Sequence, residues 1–266
     1  MSVLAASQII GQRGTTTYED DPSPPDNSFQ ESLFRMAQLV TDADVGRSAV
    51  LFSWPSKASL TGYLADKEAV TVSRDALARV VSRLAGGRRI RRVGLVAHSM
   101  GLWLTMESVR QLRIARDDAT LAKLDVSLAA PDIDEEVFLQ QLHVVGRLRE
   151  PVTVLVTKDD QALSFSRFIA GGQFRAGAAD VDDPRVLAQA QRANVRVIDI
   201  SALGTRAGSG HDGFTAYASI YGRLRRQTGE TTGSQVAPGI YALDGAYGMR
   251  RIDARPKQTV ERPASR

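Results

Sequence analysis

The chain has 266 residues, of which 43% are hydrophobic and 24% are charged, a composition typical of a folded globular protein. Because it contains no cysteine and only 3 histidines, disulfides, a catalytic thiol and a thiolate zinc site are excluded, and few ligands remain for any metal site. The formal net charge of +4 does not by itself identify a partner.

Residues 1–26 form an atypical N-terminal segment. One short apolar stretch is followed by a loop rich in Thr, Asp and Pro, which predicts that the ordered domain begins near Asn27. The next segment, SFQESLFRMAQLV, predicts an amphipathic helix, because Ser28 and Glu31 have the spacing of a capping box. The apolar face of this helix comprises Leu33, Met36, Ala37 and Val40. SAVLFSWPS then predicts a strand that Pro55 ends.

Strands and helices alternate along the following residues. A helix is predicted over DKEAVTVSRDALARVVSRLAGG, with a stop at Gly86 and Gly87. The almost continuous apolar run VGLVAHS is typical of a strand buried on both faces, and MGLWLTMESVRQLRIA after it has helical periodicity. The alternation continues through VSLAAPDID, EEVFLQQLHVV, VTVLVTKDD, VRVIDIS and FTAYASIYGRLRRQ. This order predicts one α/β domain over residues 27–229, with a mostly parallel sheet flanked by helices.

The C-terminal residues 230–266 have no sustained helix or strand period and carry scattered Pro, Gly and charge. This pattern predicts a disordered tail that contributes little to the fold. No apolar run reaches the length of a membrane span and no secretory leader is recognisable. The chain is therefore expected to be cytoplasmic and to have no integral membrane segment.

The motif AHSMG joins a predicted buried strand directly to a predicted helix. Small residues at Ala97 and Gly101 allow neighbouring backbone to come close, which is the requirement of a nucleophile elbow. At such a turn the serine lies at the positive end of the following helix. Ser99 is therefore the predicted nucleophile, and the N–H of Met100 the predicted oxyanion donor. The alternative is an ordinary serine at a helix start.

A nucleophilic serine needs a base, which in this architecture follows the nucleophile and the acid in chain order. His211 in the loop AGSGHDGF follows the last predicted strand and is the predicted base. His98 is adjacent to Ser99, so its side chain is expected to point elsewhere. His143 lies within EEVFLQQLHVV and is expected to be a surface or partly buried helix residue.

The acid is expected at the carboxyl end of an earlier strand. VTVLVTKDD ends with Asp159 and Asp160, and one of these is the first candidate. The rival pair, Asp132 and Asp134, closes VSLAAPDID, although Asp134 also suits the start of the next helix. The spacing of the residues leaves this choice open.

Two aromatic residues and one basic cluster complete the candidates. Trp54 and Tyr63 are substrate-pocket candidates that could line an acyl pocket or belong to the core. Four arginines precede the nucleophile strand, at the sheet edge opposite the predicted site, and are expected to form a solvated turn. They are Arg88, Arg89, Arg91 and Arg92. No aromatic residues are interleaved to stack on bases, so no nucleic-acid partner is expected.

Several of these motifs together resemble the bacterial α/β-hydrolase proteins of unknown function, family 900, a group of the esterase and lipase superfamily. The resemblance runs from about Asn27 to Arg226 and rests on FSWPS, GYLADKEAVTVSRDAL, AHSMG, LAAPDID, TVLVTKDDQALSFSR and GHDGF. It implies an α/β-hydrolase fold with Ser99 as nucleophile, Asp160 as acid and His211 as base. It does not imply a particular substrate.

The sequence departs from this family upstream of the first predicted helix. Family members usually carry a strand ending in His-Gly there, whereas this chain has IIGQRGTTTYEDDPSPPD without histidine. The first strands of the sheet are therefore expected to be incomplete, and the second oxyanion donor to be missing unless Gly11 or Gly14 replaces it.

These expectations together describe a serine hydrolase for a small-molecule ester or acyl substrate, without a cofactor and weak or inactive in this chain. The alternative is a non-catalytic binding protein that keeps the fold with an impaired oxyanion hole.

Overall fold

The computed structural model describes residues 2–10, 33, 34, 36, 37, 40, 41, 49–56, 63–99, 101–131, 135–156, 188, 190–200, 237–244 and 248–251. Within these residues, eight strands form one sheet. The strands are β1 (Ser2–Ile10), β2 (Ala49–Ser56), β3 (Val93–Ser99), β4 (Leu124–Pro131), β5 (Val152–Val156), β6 (Val195–Asp199), β7 (Gly239–Asp244) and β8 (Gly248–Arg251).

The helices of the described ranges separate the parallel strands. They are α1 (Tyr63–Ala85), α2 (Gly101–Ile114), α3 (Asp118–Leu121) and α4 (Glu135–Val145). The described residues between 33 and 41 are helical as well, as SFQESLFRMAQLV predicts. Its capping pair, Ser28 and Glu31, and the predicted helix FTAYASIYGRLRRQ lie outside the described residues.

The sheet has the strand order β2-β1-β3-β4-β5-β6-β7-β8. Every neighbouring pair is parallel except β7 and β8, which are antiparallel. This arrangement confirms the prediction of a mostly parallel sheet with intervening helices. All strands from β1 to β7 therefore end at the same edge, called here the carboxyl edge, and begin at the opposite amino edge.

Strand β1 corrects one expectation. Residues 3–10 pair with β2 along its whole length, and residues 2–6 pair with β3. The N-terminal segment thus supplies an inner strand, and the expectation of an incomplete sheet at this position is wrong. The partners of β1 are residues 49–56 and 93–97, which are far away in the sequence. A hairpin turn or a local period therefore could not indicate this pairing.

Strand β2 lies at the edge of the sheet and continues through Pro55 to Ser56. Pro55 pairs with Ile9 of β1 in the register of the sheet. An edge strand tolerates proline because the missing N–H can be the one that faces away from the neighbouring strand. The prediction of a strand here is confirmed, but its end at Pro55 is wrong.

Strands β7 and β8 correct a second expectation. β7 pairs with β6 in parallel and β8 pairs with β7 in antiparallel, and the side chains of Tyr241 and Leu243 are 5% and 7% exposed. The expected disordered tail is therefore wrong for residues 239–244 and 248–251. The two strands are short, and Pro, Gly and charged residues flank them in the sequence, so no strand period was recognisable. Tyr241 and Leu243 become buried because β7 pairs with β6.

The main core lies between one face of the sheet and helices α1, α2 and α4. Helix α1 packs on α2, and α2 packs on α4. Alternate residues of the inner strands enter this core, among them Val93, Leu95 and Ala97 of β3 and Leu124, Val126 and Leu128 of β4. Val96, on the other face of β3, is also buried, which confirms the prediction that this strand is covered on both faces.

Helix α1 follows the predicted apolar stripe. Leu77 and Val81 are fully buried, while Val80 and Leu84 pack against the same core. The helix ends at Ala85, as the two following glycines predict. A larger residue at position 87 would clash, because a Cβ there would lie 2.9 Å from Cγ1 of Ile90.

Candidate active site at the carboxyl edge

The junction of β3 and α2 has the form that a nucleophile elbow requires. Ser99 is the last residue of β3 and Gly101 is the first residue of α2, so only Met100 lies between strand and helix. Helix α2 is anchored from its first turn, because Gly101, Leu102 and Leu104 are buried. No acidic residue occurs in that turn, so the positive end of the helix is not neutralised by its own side chains.

The pairing of β3 with β4 is irregular at this position. His98 lies opposite Ala129, but Ser99 lies opposite Pro131, so the register shifts between the two. Such bulges re-aim the backbone at the end of a strand and occur often beside active sites. The shift marks Ser99 as the point where the chain leaves the plane of the sheet.

The order of the strands makes the end of β3 a topological switch point. In the sheet, β1 lies between β2 and β3. The chain therefore goes from β1 to its neighbour on one side, β2, and then to its neighbour on the other side, β3. In open α/β sheets, ligands bind in the crevice outside the carboxyl ends of the strands at such a point. Ser99 and Ile10 end the two strands that border it.

The other predicted catalytic residues lie outside the described residues. Asp159 and Asp160 follow β5 in the chain, and Asp132 and Asp134 follow β4. The predicted base follows β6. Because β3, β4, β5 and β6 are parallel neighbours, each of these candidates comes after a strand that ends at the same edge. The roles of Asp160, His211 and Met100 stay predictions.

Trp54 lies in β2 and is 1% exposed, within the main hydrophobic core. Its register partner is Gln8 of β1, whereas Ala97 of β3 pairs with Ala6. Trp54 is thus two residues further along the sheet than Ala97, at the level of Ser99. Its indole Nε1 has no hydrogen-bond partner. Both proposed locations of Trp54, core and neighbourhood of the site, are therefore compatible with its position.

Tyr63 is the first residue of α1. Its side chain is not among the described ones, so its role as a substrate-pocket candidate stays a prediction.

The two described histidines occupy the places that the sequence predicts. His143 is an exposed residue in the last turn of α4, which ends at the amino edge, away from Ser99. His98 is a half-buried residue of β3. The position of His143 removes it as a base for Ser99, because helix and strand run in opposite directions between the two edges.

The arginine cluster before β3 lies at the amino edge, as predicted. Arg88, Arg89 and Arg91 are exposed, and Nη2 of Arg92 lies 3.1 Å from Oε1 of the buried Glu150. One arginine of the cluster is therefore held by an ion pair, and the other three are exposed to solvent.

Buried charge is concentrated at this same amino edge. Arg196 in β6 is 2% exposed, and its Nη1 donates to Oγ1 of Thr153 in β5 at 3.0 Å. Burial lowers the pKa of this guanidinium, whereas the nearby carboxylates of Asp125 and Glu150 oppose that change. These groups form a polar layer inside the sheet that holds the strands in register and is far from the candidate site.

A cavity of about 560 Å³ at the amino edge was not predicted. It lies beside α4 and the residues preceding β6, and Arg147 and Arg192 are among its lining residues. These two arginines lie in separate segments, and no motif connects them. A sequence search for clustered basic residues finds the run before β3 instead.

The described part of the chain contains no group of three or more histidine, aspartate or glutamate side chains that could hold a metal ion. None of its helices is long and apolar enough to cross a membrane.

The mostly parallel sheet flanked by helices, with a helix that begins two residues after Ser99, is the architecture of α/β-hydrolase proteins. Residues 26–228 match the family model described as alpha/beta hydrolase of unknown function (DUF900), and because this match covers more than half of the chain, the protein belongs to that family. Membership indicates a hydrolase and confirms the predicted α/β-hydrolase fold. A search of curated proteins and a search of solved structures gave no significant match.

The family match and the sheet do not have the same limits. The match begins after β1 and ends before β7 and β8, so three of the eight strands lie outside it. The departure from the family upstream of the first helix is therefore a difference of sequence, and the strand itself is present.

Proposed function

We propose that this protein is a serine hydrolase that cleaves a carboxylic ester. The observation that carries the proposal is the junction of β3 and α2, which has Ser99 at the carboxyl edge, at the topological switch point, with one residue before the helix. A serine at this kind of turn is exposed above the sheet and faces the first amides of the helix.

In the proposed reaction, Oγ of Ser99 attacks the ester carbonyl while His211 takes its proton. Asp160 holds the imidazole in the required tautomer. The N–H of Met100 donates to the developing oxyanion, and the alcohol leaves with the proton that His211 returns. Water then attacks the acyl-enzyme, with His211 again as base, and releases the acid and the free serine.

The spacing of the strands supports this set of residues. Adjacent strands lie about 4.8 Å apart, so the end of β5 lies roughly 10 Å from the end of β3 and the end of β6 roughly 15 Å from it. Asp160 and His211 each follow a strand that ends on this side of the sheet. Loops of ordinary length cross such distances, since an extended chain covers about 3.3 Å per residue.

Strand β1 bears on the proposed oxyanion hole. It ends at Ile10 beside β3, and Gly11 follows directly in the chain. In this architecture the second donor comes from the residues after the strand that neighbours the nucleophile strand. The alternative, a binding protein with an impaired oxyanion hole, was based on the expected loss of this strand. Because β1 is present, we favour an active hydrolase.

The test is labelling with a fluorophosphonate, followed by peptide mapping. Wild-type protein is expected to be labelled at Ser99, and Ser99→Ala to lose the label while keeping its circular dichroism spectrum. Ser73→Ala, which removes a half-buried serine of α1, is the matched control and is expected to keep the label. A label that persists in Ser99→Ala at another serine would falsify the assignment.

The acid and the base are tested by hydrolysis of a short-chain p-nitrophenyl ester. His211→Asn is expected to abolish turnover, whereas His143→Asn, at the opposite edge, should leave it unchanged. Asp160→Asn is expected to lower turnover by about 10⁴-fold, as for a triad whose orienting carboxylate is lost. Retained activity in Asp160→Asn with collapse in Asp132→Asn or Asp159→Asn would show that another carboxylate orients the histidine.

A further inference from the structure

The cavity at the amino edge has the composition of an anion site. Among the described residues, it is lined by two arginines, one histidine, one glutamine, one glycine and three apolar side chains, and no carboxylate contributes to its lining. These residues are Leu139, Gln140, Leu142, His143, Gly146, Arg147, Arg192 and Ala193. The cavity lies at the end of α4, on the far side of the sheet from Ser99.

The two guanidinium groups are not used by the described fold. Arg147 and Arg192 are exposed, and neither takes part in an ion pair among the described residues. Glu150, a carboxylate close to Arg147 in the chain, is buried and binds Arg92 at 3.1 Å. A planar guanidinium with its donors available binds phosphate and carboxylate groups in bidentate fashion.

The wall that carries Arg147 is held in place by an arginine of α2. Arg113 donates from Nε to the carbonyl of Val145 at 2.8 Å and from Nη2 to the carbonyl of Arg147 at 3.2 Å. The first of these bonds also satisfies the last carbonyl of α4, at the negative end of that helix, which would otherwise repel an anion.

The opposite wall is fixed to the first by a buried amide. Nδ2 of Asn194 donates to the carbonyl of Leu148 at 3.1 Å, and the carbonyl of Asn194 accepts from the N–H of Val152 at 3.1 Å. The φ angle of Asn194 is 55°, a left-handed conformation that asparagine adopts more readily than most residues. The segments that carry Arg147 and Arg192 are thus joined rigidly, and a ligand would not have to order them on binding.

We infer that this cavity binds a small organic phosphate. The two arginines pair with the phosphate oxygens, and His143 offers an additional donor at the same rim. The apolar part of the ligand packs on Leu139 and Leu142, which explains why the cavity is larger than a bare phosphate needs. The site is separate from the proposed hydrolase site, since the two lie at opposite edges of the sheet.

The experiment is calorimetric titration of the full chain with n-hexyl phosphate, inorganic phosphate and phosphatidylcholine vesicles containing phosphatidic acid. Hexyl phosphate is expected to bind, more tightly than inorganic phosphate. The double variant Arg147→Gln/Arg192→Gln is expected to weaken its binding by at least about tenfold, since two charged hydrogen-bond donors are lost. The matched control Arg88→Gln/Arg89→Gln removes the same charge from the same edge outside the cavity and should bind as the wild type does.

Four results would overturn the inference, three of which concern the ligand and the arginine variants. The first is no binding of hexyl phosphate by the wild type, and the second is an equal loss in both double variants, which would indicate attraction by net charge alone. The third is binding to the vesicles without binding to free hexyl phosphate, which would indicate a lipid surface as the partner. Ser99→Ala separates the two sites, because it should leave the phosphate affinity unchanged; loss of binding in that variant would place the ligand at the carboxyl edge.

Discussion

Deletion of residues 230–266 removes β7 and β8 and is expected to destabilise the whole domain. Tyr241 and Leu243 are almost completely buried against the sheet. Burying a large apolar side chain contributes about 1.5–3 kcal/mol, so the two together contribute roughly 3–6 kcal/mol to the free energy of unfolding. The deletion also exposes one edge of β6, whose backbone groups pair with residues 239–242.

This loss is large compared with the whole stability of a domain. Domains of this kind unfold with about 5–15 kcal/mol, so the shortened chain should have a much lower midpoint in urea or fail to fold. Unfolding followed by circular dichroism measures the change. An unchanged midpoint for the shortened chain would show that β7 and β8 do not stabilise the domain and that residues 230–266 are dispensable.

Point variants keep the test informative if the shortened chain does not fold. Tyr241→Ala in the full chain should cost about 3 kcal/mol or more, because a buried aromatic side chain is lost. Tyr241→Phe is the matched control, since it keeps the ring and removes the hydroxyl, which donates to the carbonyl of Ala237 at 2.8 Å. Its cost should be about 1 kcal/mol. Equal costs for the two variants would show that the ring is not part of the fold's stabilising contacts.

Three further predictions concern other parts of the fold. Ala6→Pro, in the strand between β2 and β3, should prevent soluble expression, because proline breaks the ladder of an inner strand; a soluble, fully folded variant would contradict the position of β1. Arg196→Ala should lower the free energy of unfolding by about 1–3 kcal/mol in urea titrations, because it removes a buried side chain and takes away the donor that Oγ1 of Thr153 accepts from at 3.0 Å; the absence of a measurable cost would contradict this. Asp117→Asn should destabilise the chain at neutral pH but not below the folded pKa of the carboxyl, and urea titrations from about pH 7 down to about pH 2 would show a constant difference if this is wrong.

The direction of the pH effect follows from the contacts of Asp117. Its carboxylate accepts from Oγ of Ser82 at 2.7 Å and from the N–H of Thr120 at 3.2 Å, where it caps α3. Burial by itself raises the pKa, but these hydrogen bonds lower it below its ordinary value of 3.8. The stabilisation is therefore complete above the ordinary pKa and disappears as the pH falls through the lower, folded value.

Local patterns were enough to predict the helices and most inner strands. The segment EEVFLQQLHVV coincides with α4, and VGLVAHS coincides with β3, because each carries its own periodicity and its own boundary signals. The position of Ser99 at the end of β3, just before α2, could be predicted for the same reason. What could be predicted, in other words, depended on residues that are neighbours in the sequence.

The failures involve contacts between residues that are distant in the sequence. β1 and β7 are strands because of their partners, and neither segment has enough regular alternation to indicate a strand alone. The cavity with Arg147 and Arg192 was missed for the same reason, since its walls come from segments before β5 and before β6. Strand pairing and cavity formation are properties of the assembled sheet.

The inner position of β1 has a consequence for biosynthesis. β1 precedes both of its partners in the chain, so after its translation it must wait for residues 49–56 and then for residues 93–97 before both of its edges are paired. Parallel pairs with such long sequence separation form slowly, because the loop between them must first be closed. During that interval the nascent chain presents an unpaired strand edge, which makes it a substrate for chaperones and a point of risk for aggregation. The residue that ends this exposure, Ala97, precedes the proposed nucleophile by two residues, so both edges of β1 become paired at the point of synthesis where the proposed catalytic turn emerges.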